Sequence, residues 1–296
     1  MIKEHRTGAK EHLAPETAGC LIRIQSAIAR FRPSERAIAE FILGHREEVI
    51  RMSISELARD ANVGESTVIR FCRAAGFDGY QELKLRLAQD LAQPANYVHE
   101  AISFSDTVEE LSQKIFQSNR VALENTGRSL DPKLVEVAAA AAVHARRIVL
   151  YGIAGSFHSA ATAKLSLTRL GLAAEAYGEG HMQAMNAAGL HAGDLAIGIS
   201  HSGSTRDVVD ALTLAREAGA TTIAVTNYSP SPITKVADIV LLTASWETPF
   251  AGESLGSAIA QLSVLDVLSA AVAIQIGEAC IQNIEKLALA VKGKRY

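Results

Sequence analysis

The sequence predicts two structural classes in one chain of 296 residues. An all-α N-terminal domain comes first. An α/β domain follows, with a doubly wound, mainly parallel five-stranded sheet. Three observations carry this. The first third shows only helical spacing and holds a two-helix corner, Ser53 to Phe77. From Arg147 onward, short apolar runs alternate with segments of helical spacing, the pattern of βα units. Two of those runs, Arg147–Tyr151 and Leu195–Ile199, do not alternate polar with apolar and end in turns of glycine and hydroxyl residues. Strands buried on both faces of a parallel sheet read this way.

The composition bounds the rest. The length fits about two domains of ~150 residues each. A hydrophobic share of 48% is enough for real cores. The net charge of −3 excludes a whole-chain basic signature but not a local nucleic-acid face. Cys20, Cys72 and Cys280 lie far apart with no C-x-x-C pair. That spacing argues against disulfides or zinc and for a reducing cytoplasm. The first twelve residues, MIKEHRTGAKEH, lack the apolar core of a signal peptide. Val264 to Ile276 is interrupted by Asp266, and reads as a packed helix too short to span a membrane.

Taken in order, residues 1–19 are polar and irregular and read as a flexible arm. Residues 20–92 form short helices. Ser53 and Glu56 make a capping box. Leu57, Ala58 and Ala61 share one face, and Val68 and Phe71 continue it in the next helix. Asn62, Val63 and Gly64 form the turn between, where Asn62 and Gly64 tolerate unusual dihedrals. Small Ala58 lets the helices cross closely and Val63 plugs the corner, which is a helix-turn-helix arrangement. Gln93-Pro94-Ala95-Asn96 opens a linker and connecting helix over 93–130. Asp131-Pro132 starts the last domain, 131–296, as an N-cap with proline at the first helical position. Its candidate strands are 147–151, 174–177, 195–200, 222–226 and 239–242. Beyond Gly256 the chain reads as helical.

Two places carry chemistry. The turn after the 195–199 run holds Ser200, Ser202, Gly203, Ser204 and Thr205, and the turn after 147–151 holds Ser156. Strand, hydroxyl-rich turn and helix are the parts of an anion site. No Gly-Lys-Ser/Thr follows, so a small phosphorylated molecule fits better than a nucleoside triphosphate. Helix capping is the competing reading of these hydroxyls. On the second helix of the corner, Ser66, Thr67, Arg70 and Arg73 are expected to face outward, and Lys84 and Arg86 lie on the next helix. Arginine reads guanine or grips phosphate, and hydroxyls near a helix start bind phosphate. A structural hairpin with a solvated face is the alternative. Glu65 would repel phosphate and is expected to turn away. Glu253 is a candidate carboxylate, and His158, His181 and His201 are possible proton carriers. Asn227 is a further candidate for the same crevice. No metal-ligand spacing occurs.

Ser200-x-Ser202-Gly203-x-Thr205, with Gly152 to Ser156 upstream, resembles the phosphosugar loops of sugar isomerase (SIS) domains over residues 131–274. The corner followed by Gly76-Phe77-x-Gly79-Tyr80 and Glu82-Leu83-Lys84 resembles the N-terminal domain of RpiR-type bacterial regulators, in which that domain precedes a SIS domain. The match departs at Ala258, before Ile259 to Leu262, where such regulators often carry a basic residue. The resemblance implies a cytoplasmic transcriptional regulator of carbohydrate metabolism. It would bind operator DNA through its N-terminal helices and a phosphorylated sugar or sugar acid through Ser156, Ser200, Ser202, Gly203, Ser204, Thr205 and Glu253. It implies a homodimer or homotetramer, because one helix-turn-helix reads half a site. No catalytic residue, metal or cofactor and no membrane partner is expected. The alternative is a phosphosugar isomerase with an accessory helical domain, using Glu253 as a base.

Overall fold

Ser53 begins a helix for the reason the sequence gives. In the computed structural model its Oγ accepts from the Glu56 N–H at 3.2 Å, and its own N–H donates to the Glu56 carboxylate at 2.7 Å. The Ser53 backbone N–H, with the Ser53 side chain, holds the Glu56 carboxyl below the usual carboxylate range. The structure describes residues 20–91, 102–103, 105–245 and 255–294. The expected N-terminal arm and the Gln93–Asn96 break lie outside them.

Six helices come first: α1 (Cys20–Ser26), α2 (Pro33–Gly44), α3 (Arg46–Val49), α4 (Ile54–Asp60), α5 (Glu65–Ala74) and α6 (Tyr80–Leu91). They close on one core that includes Leu21, Ile38, Leu57, Val68, Phe71 and Leu83. At the α4–α5 corner Asn62 takes φ +54°. The Val63 N–H donates to the Ala58 carbonyl at 2.8 Å. Gly64 departs from expectation. It is extended, φ −85° and ψ 152°, as the N-cap of α5, so its conformational freedom is not used.

The rest comprises α7 (Val108–Ser129), α8 (Pro132–His144), β1 (Ile148–Tyr151), α9 (Gly155–Arg169), β2 (Ala174–Tyr177), α10 (Gly180–Ala188), β3 (Leu195–Ile199), α11 (Arg206–Glu217), β4 (Thr221–Thr226), α12 (Pro232–Val236), β5 (Ile239–Leu242), α13 (Leu255–Ile276) and α14 (Ala279–Val291). The sheet runs β2-β1-β3-β4-β5 and every pairing is parallel. Tyr151 pairs with Tyr177 on one side and Gly198 on the other. Successive side chains leave a strand on opposite faces. Ile148, Leu150, Leu195, Ile197 and Ile223 accordingly pack with residues of α8, α9 and α13. Val149, Tyr151, Ala196 and Ala224 pack with residues of α10, α11 and α12. This is the doubly wound, all-parallel sheet the sequence predicts. α7 packs along α13, and its Thr126 Oγ1 accepts from the Ala244 N–H just past β5 at 3.0 Å.

The last apolar stretch is longer than expected. α13 has 22 residues, and Gly256–Ile276 is long and apolar enough, by length and composition, to cross a membrane. The helix thus extends beyond the 264–276 stretch, and a buried core helix passes the same test of length and composition. Asp266 does not interrupt the helix, because it lies exposed on α13, and the Ser263 and Ser269 hydroxyls donate back to the Ile259 and Leu265 carbonyls at 2.9 and 2.8 Å. The packing expectation holds: Val264, Leu265, Leu268 and Val272 are buried in the sheet's core.

Candidate functional site

A parallel sheet ordered 2-1-3-4-5 changes winding direction between β1 and β3. The chain leaves these neighbours toward opposite faces, which opens a crevice at their carboxyl ends, where ligands of such sheets bind. The two hydroxyl-bearing turns follow β1 and β3, so the topology brings Ser156, Ser200, Ser202, Gly203, Ser204 and Thr205 to that one place.

The β3 turn is braced from behind. Its Gly203 N–H donates to the Ser200 carbonyl at 3.1 Å, and its Gly203 carbonyl accepts from the Ile233 N–H at 2.9 Å. The His201 carbonyl accepts from the Asn227 N–H at 3.0 Å and from Thr226 Oγ1 at 3.2 Å. Gly203 has φ +63°, and a Cβ there would lie 2.1 Å from Ser231 Oγ. The residue is thus required by its own neighbours in the fold. Ser200 Oγ and Thr205 Oγ1 bond each other at 2.9 Å. One hydroxyl donates in such a pair, and the other O–H stays available. Ser204 is exposed, Ser202 and Thr205 are half-buried, and Ser156 and Ser200 are buried.

Capping does not account for Thr205. It occupies the N-cap of α11 yet makes no side-chain cap bond, and α9 likewise starts without one, from Ala154. Elsewhere α4, α7, α8 and α10 are capped by Ser53, Thr107, Asp131 and Glu179, while α5 and α14 also start without a side-chain cap, so it is the place of α9 and α11 at the crevice that sets them apart. In α9 the Ser156 and Phe157 N–H groups bond the Ile153 and Ala154 carbonyls at 3.1 Å, but no N-cap side chain takes up a first-turn amide of either helix. Those amides and the helix dipoles favour an anion. Ala154 adds a strained backbone there, with φ +49° and ψ −120°. Such outliers cluster at functional sites.

The remaining candidates sort by position. His201 is buried with its ring edge-on to Tyr228, centroids 5.6 Å apart. His158 is exposed, with Nδ1 3.1 Å from the Ala154 carbonyl. His181 pairs with Glu179 at 3.0 Å. Glu179 accepts from the N–H groups of His181 and Met182, which hold its carboxyl at about 2. The Asn227 Oδ1 accepts from the Ser245 N–H at 2.7 Å, which fixes the chain leaving β5. Glu253 lies outside the described residues. Sequence reasoning missed Gln261 of α13. Its Nε2 donates to Ser156 Oγ at 3.1 Å and its Oε1 accepts from Ser159 Oγ at 3.0 Å. Gln261 lies in the Ile259–Leu262 motif noted in the sequence, but its 105-residue separation from Ser156 hid the contact.

On the N-terminal helices, Ser66, Arg70 and Arg73 lie exposed on α5. Thr67 does not face outward. It is 8% exposed, its N–H donates to the Gly64 carbonyl and its Oγ1 accepts from Arg70 at 3.1 Å. It lies four residues before Phe71, one helical turn, and so shares the buried face of Val68, Phe71 and Cys72. Lys84 is also drawn in, its ammonium donating to the Met52 carbonyl at 2.8 Å. Glu65 is held toward α4 by Ser55 at 2.6 Å. Arg23 and Arg30, both missed, hold the far end of α5. Arg30 donates to the Ala74 carbonyl, and Arg23 to the carbonyls of Ala75 and Gly76 while lying 4.2 Å from the Phe77 ring. Charged donors on the last carbonyls satisfy a helix end. An arginine among Leu21, Ile24 and Ala27 was the available signal.

Residues 18–94 match the family described as a helix-turn-helix domain of the rpiR family, and residues 143–271 match the SIS domain. The chain is 40% identical over 245 residues to an uncharacterized HTH-type transcriptional regulator of Caldanaerobacter subterraneus, covering 83% of this chain and 87% of that one. It is 37% identical over 257 residues to the HTH-type transcriptional regulator HexR of Pseudomonas aeruginosa, covering 87% and 90%. Among solved structures it is similar to Vibrio vulnificus NanR complexed with ManNAc-6P, with a TM-score of 0.61, 26% identity and coverage of 94% and 100%. The chain belongs to the rpiR family of helix-turn-helix transcriptional regulators that carry a SIS domain.

Proposed function

We propose that this regulator senses a phosphorylated sugar or sugar acid in the crevice between β1 and β3, and that occupancy modulates operator binding by α4 and α5. The carrying observation is the pair of helix starts, α9 and α11, that no side chain caps, flanked by Ser156, Ser200, Ser202, Ser204 and Thr205. Gly203 shapes the turn. Arg70 and Arg73 contact DNA with Ser66 beside them, while Thr67 and Lys84 position α5 and its surroundings. The NanR structure, holding a phosphorylated amino sugar, supports this ligand class. The division of labour is 20–92 for DNA, 93–130 for connection and 131–296 for the effector. The protein acts as a cytoplasmic sensor and not as an isomerase.

Self-association completes the reading, since one helix-turn-helix reads half a site. A cleft of about 650 Å³ between α7, α8 and α13 is lined by Leu130, Val135, Val267, Ala271 and Ile274. Ile274 is 81% exposed there. Exposed apolar surface of this kind marks an interface, and a second copy is the occupant that a two-fold operator calls for. Sedimentation velocity returning a monomer at micromolar concentration would remove this part.

The test of sensing is thermal unfolding with a panel of sugar phosphates and their unphosphorylated parents. A ligand that binds the folded state raises its midpoint by mass action. A rise with a phosphorylated compound only, lost in Ser202→Ala, is expected. A flat response across the panel would overturn the sensor.

A further inference from the structure

Gln261 is 1% exposed, and it spans two hydroxyls that are themselves buried, Ser156 at 3% and Ser159 at 1%. Ser156 sits in the first turn of α9, its N–H donating to the Ile153 carbonyl at 3.1 Å. Its Oγ accepts from Gln261 Nε2 at 3.1 Å, while Ser159 Oγ donates to Gln261 Oε1 at 3.0 Å. Both ends of the carboxamide are thus engaged, which holds its plane. A serine oxygen that accepts one bond still has its own O–H to give. Gln261 uses this oxygen as an acceptor, so the Ser156 O–H remains to be donated. A buried donor left unmatched is costly, so an acceptor arriving in the crevice gains from meeting it.

Gln261 also belongs to a different element from the turn it touches. α13 packs against α7, α8 and α9, and α7 is fastened to the end of β5 by Thr126. A ligand that draws on the Ser156 hydroxyl therefore pulls on α13 through one side chain.

We propose that Gln261 is a positioning residue of the effector site, which sets Ser156 as a donor to a phosphate monoester and ties occupancy of the crevice to helix α13. This rests on the sensor reading above. The contact was invisible in the sequence because its partners are 105 and 102 residues away.

The experiment compares wild type, Gln261→Met, Gln261→Glu and Ser263→Ala by thermal unfolding against rising inorganic phosphate and glucose 6-phosphate, with glucose as the uncharged control. Methionine keeps the length but neither donates to Ser156 nor accepts from Ser159. Glutamate accepts from both hydroxyls, turning the Ser156 O–H backward and adding negative charge. The discriminating quantity is the phosphate needed for a given rise in midpoint, because a merely structural residue would lower the unliganded midpoint and leave that concentration unchanged. Gln261→Met should need on the order of 10- to 100-fold more ligand, the worth of one hydrogen bond to a charged group. Gln261→Glu should need at least as much. Ser263→Ala, on the same helix with a hydroxyl that donates to the Ile259 carbonyl, should match wild type. If Gln261→Met or Gln261→Glu responds as wild type does, the positioning role is wrong and the sensor stands. If wild type responds to neither phosphorylated probe, both fall. If both Gln261 variants fail to fold while Ser263→Ala folds, Gln261 is structural and the proposal falls.

Discussion

Helices α5 and α11 both start at a turn, both carry hydroxyls near that start, and both are assigned to meet phosphate, yet they are built in opposite ways. α5 stands on a packed helical core and offers long side chains: Arg70 and Arg73 are exposed, with little holding them except the Arg70 contact to Thr67. α11 offers short hydroxyls and backbone amides on a turn clamped by Thr226, Asn227 and Ile233. The difference follows from the partners. DNA is a long polyanion, so flexible cations on a rigid face gain by counterion release and tolerate small shifts. A small phosphate has one position to be read from, so donors must be fixed before it arrives, and fixing them ties recognition to stability.

The comparison breaks most visibly on the α5 side. Arg70→Ala with Arg73→Ala should weaken binding to a duplex obtained by in vitro selection on the order of 100-fold, from two lost charged contacts. The slope of log affinity against log salt should shrink by about 2 if both grip phosphate. The thermal midpoint and the response to sugar phosphates should stay as in wild type. Fluorescence anisotropy across a salt series reads the first two. A double variant that unfolds early would show that these arginines belong to the core, and the contrast with α11 would be lost.

The difference also governs what the sequence disclosed. The five strands, both turns and the α4–α5 corner were legible because each follows from local periodicity, a capping box or a glycine-hydroxyl run, whereas the strand order comes from pairing between distant segments. Thr67 was misplaced for a physical reason. It stands four residues before Phe71 and five before Cys72, so helical spacing itself puts it on the buried face, and counting from Val68 and Phe71 alone overlooked that stripe. Lys84 was read as a free cation because nothing local shows the Met52 carbonyl beneath it. Arg23, Arg30 and Gln261 were missed because each acts on a backbone or hydroxyl more than 40 residues away. Side chains that position a site across the fold leave no periodic trace.

Glycine sharpens the same contrast. Gly203→Ala forces a side chain onto φ +63° and against Ser231, whose Oγ would lie 2.1 Å from the new Cβ. Backbone strain and overpacking together should cost about 2–4 kcal/mol. Gly64→Ala changes an extended residue whose new Cβ would meet only Ser66 Oγ at 3.8 Å. It should cost about 1 kcal/mol or less, the difference between glycine and alanine at an N-cap. Urea unfolding of the two variants gives the ratio. Equal losses would mean that the β3 turn is no more constrained than the corner between α4 and α5.

The smallest effect runs in the other direction. Ala154 holds φ +49° and ψ −120° at the start of α9, a region that suits glycine and strains any residue with a Cβ by roughly 1–3 kcal/mol. Glycine also costs about 0.5–1 kcal/mol of extra chain entropy. The balance predicts that Ala154→Gly stabilises the sheet-containing part by about 1 kcal/mol, or roughly 2–4 °C in midpoint. Asn62, the other non-glycine residue at positive φ among the described residues, has φ +54°. Its side chain tolerates that conformation, so Asn62→Gly should gain less. The effector turn would then carry strain that the DNA-facing turn does not, and relieving it tests whether the strain serves binding. If Ala154→Gly raises the midpoint and weakens the phosphate response together, the backbone at 154 is held for the ligand. A higher midpoint with an unchanged response would place the strain in folding alone.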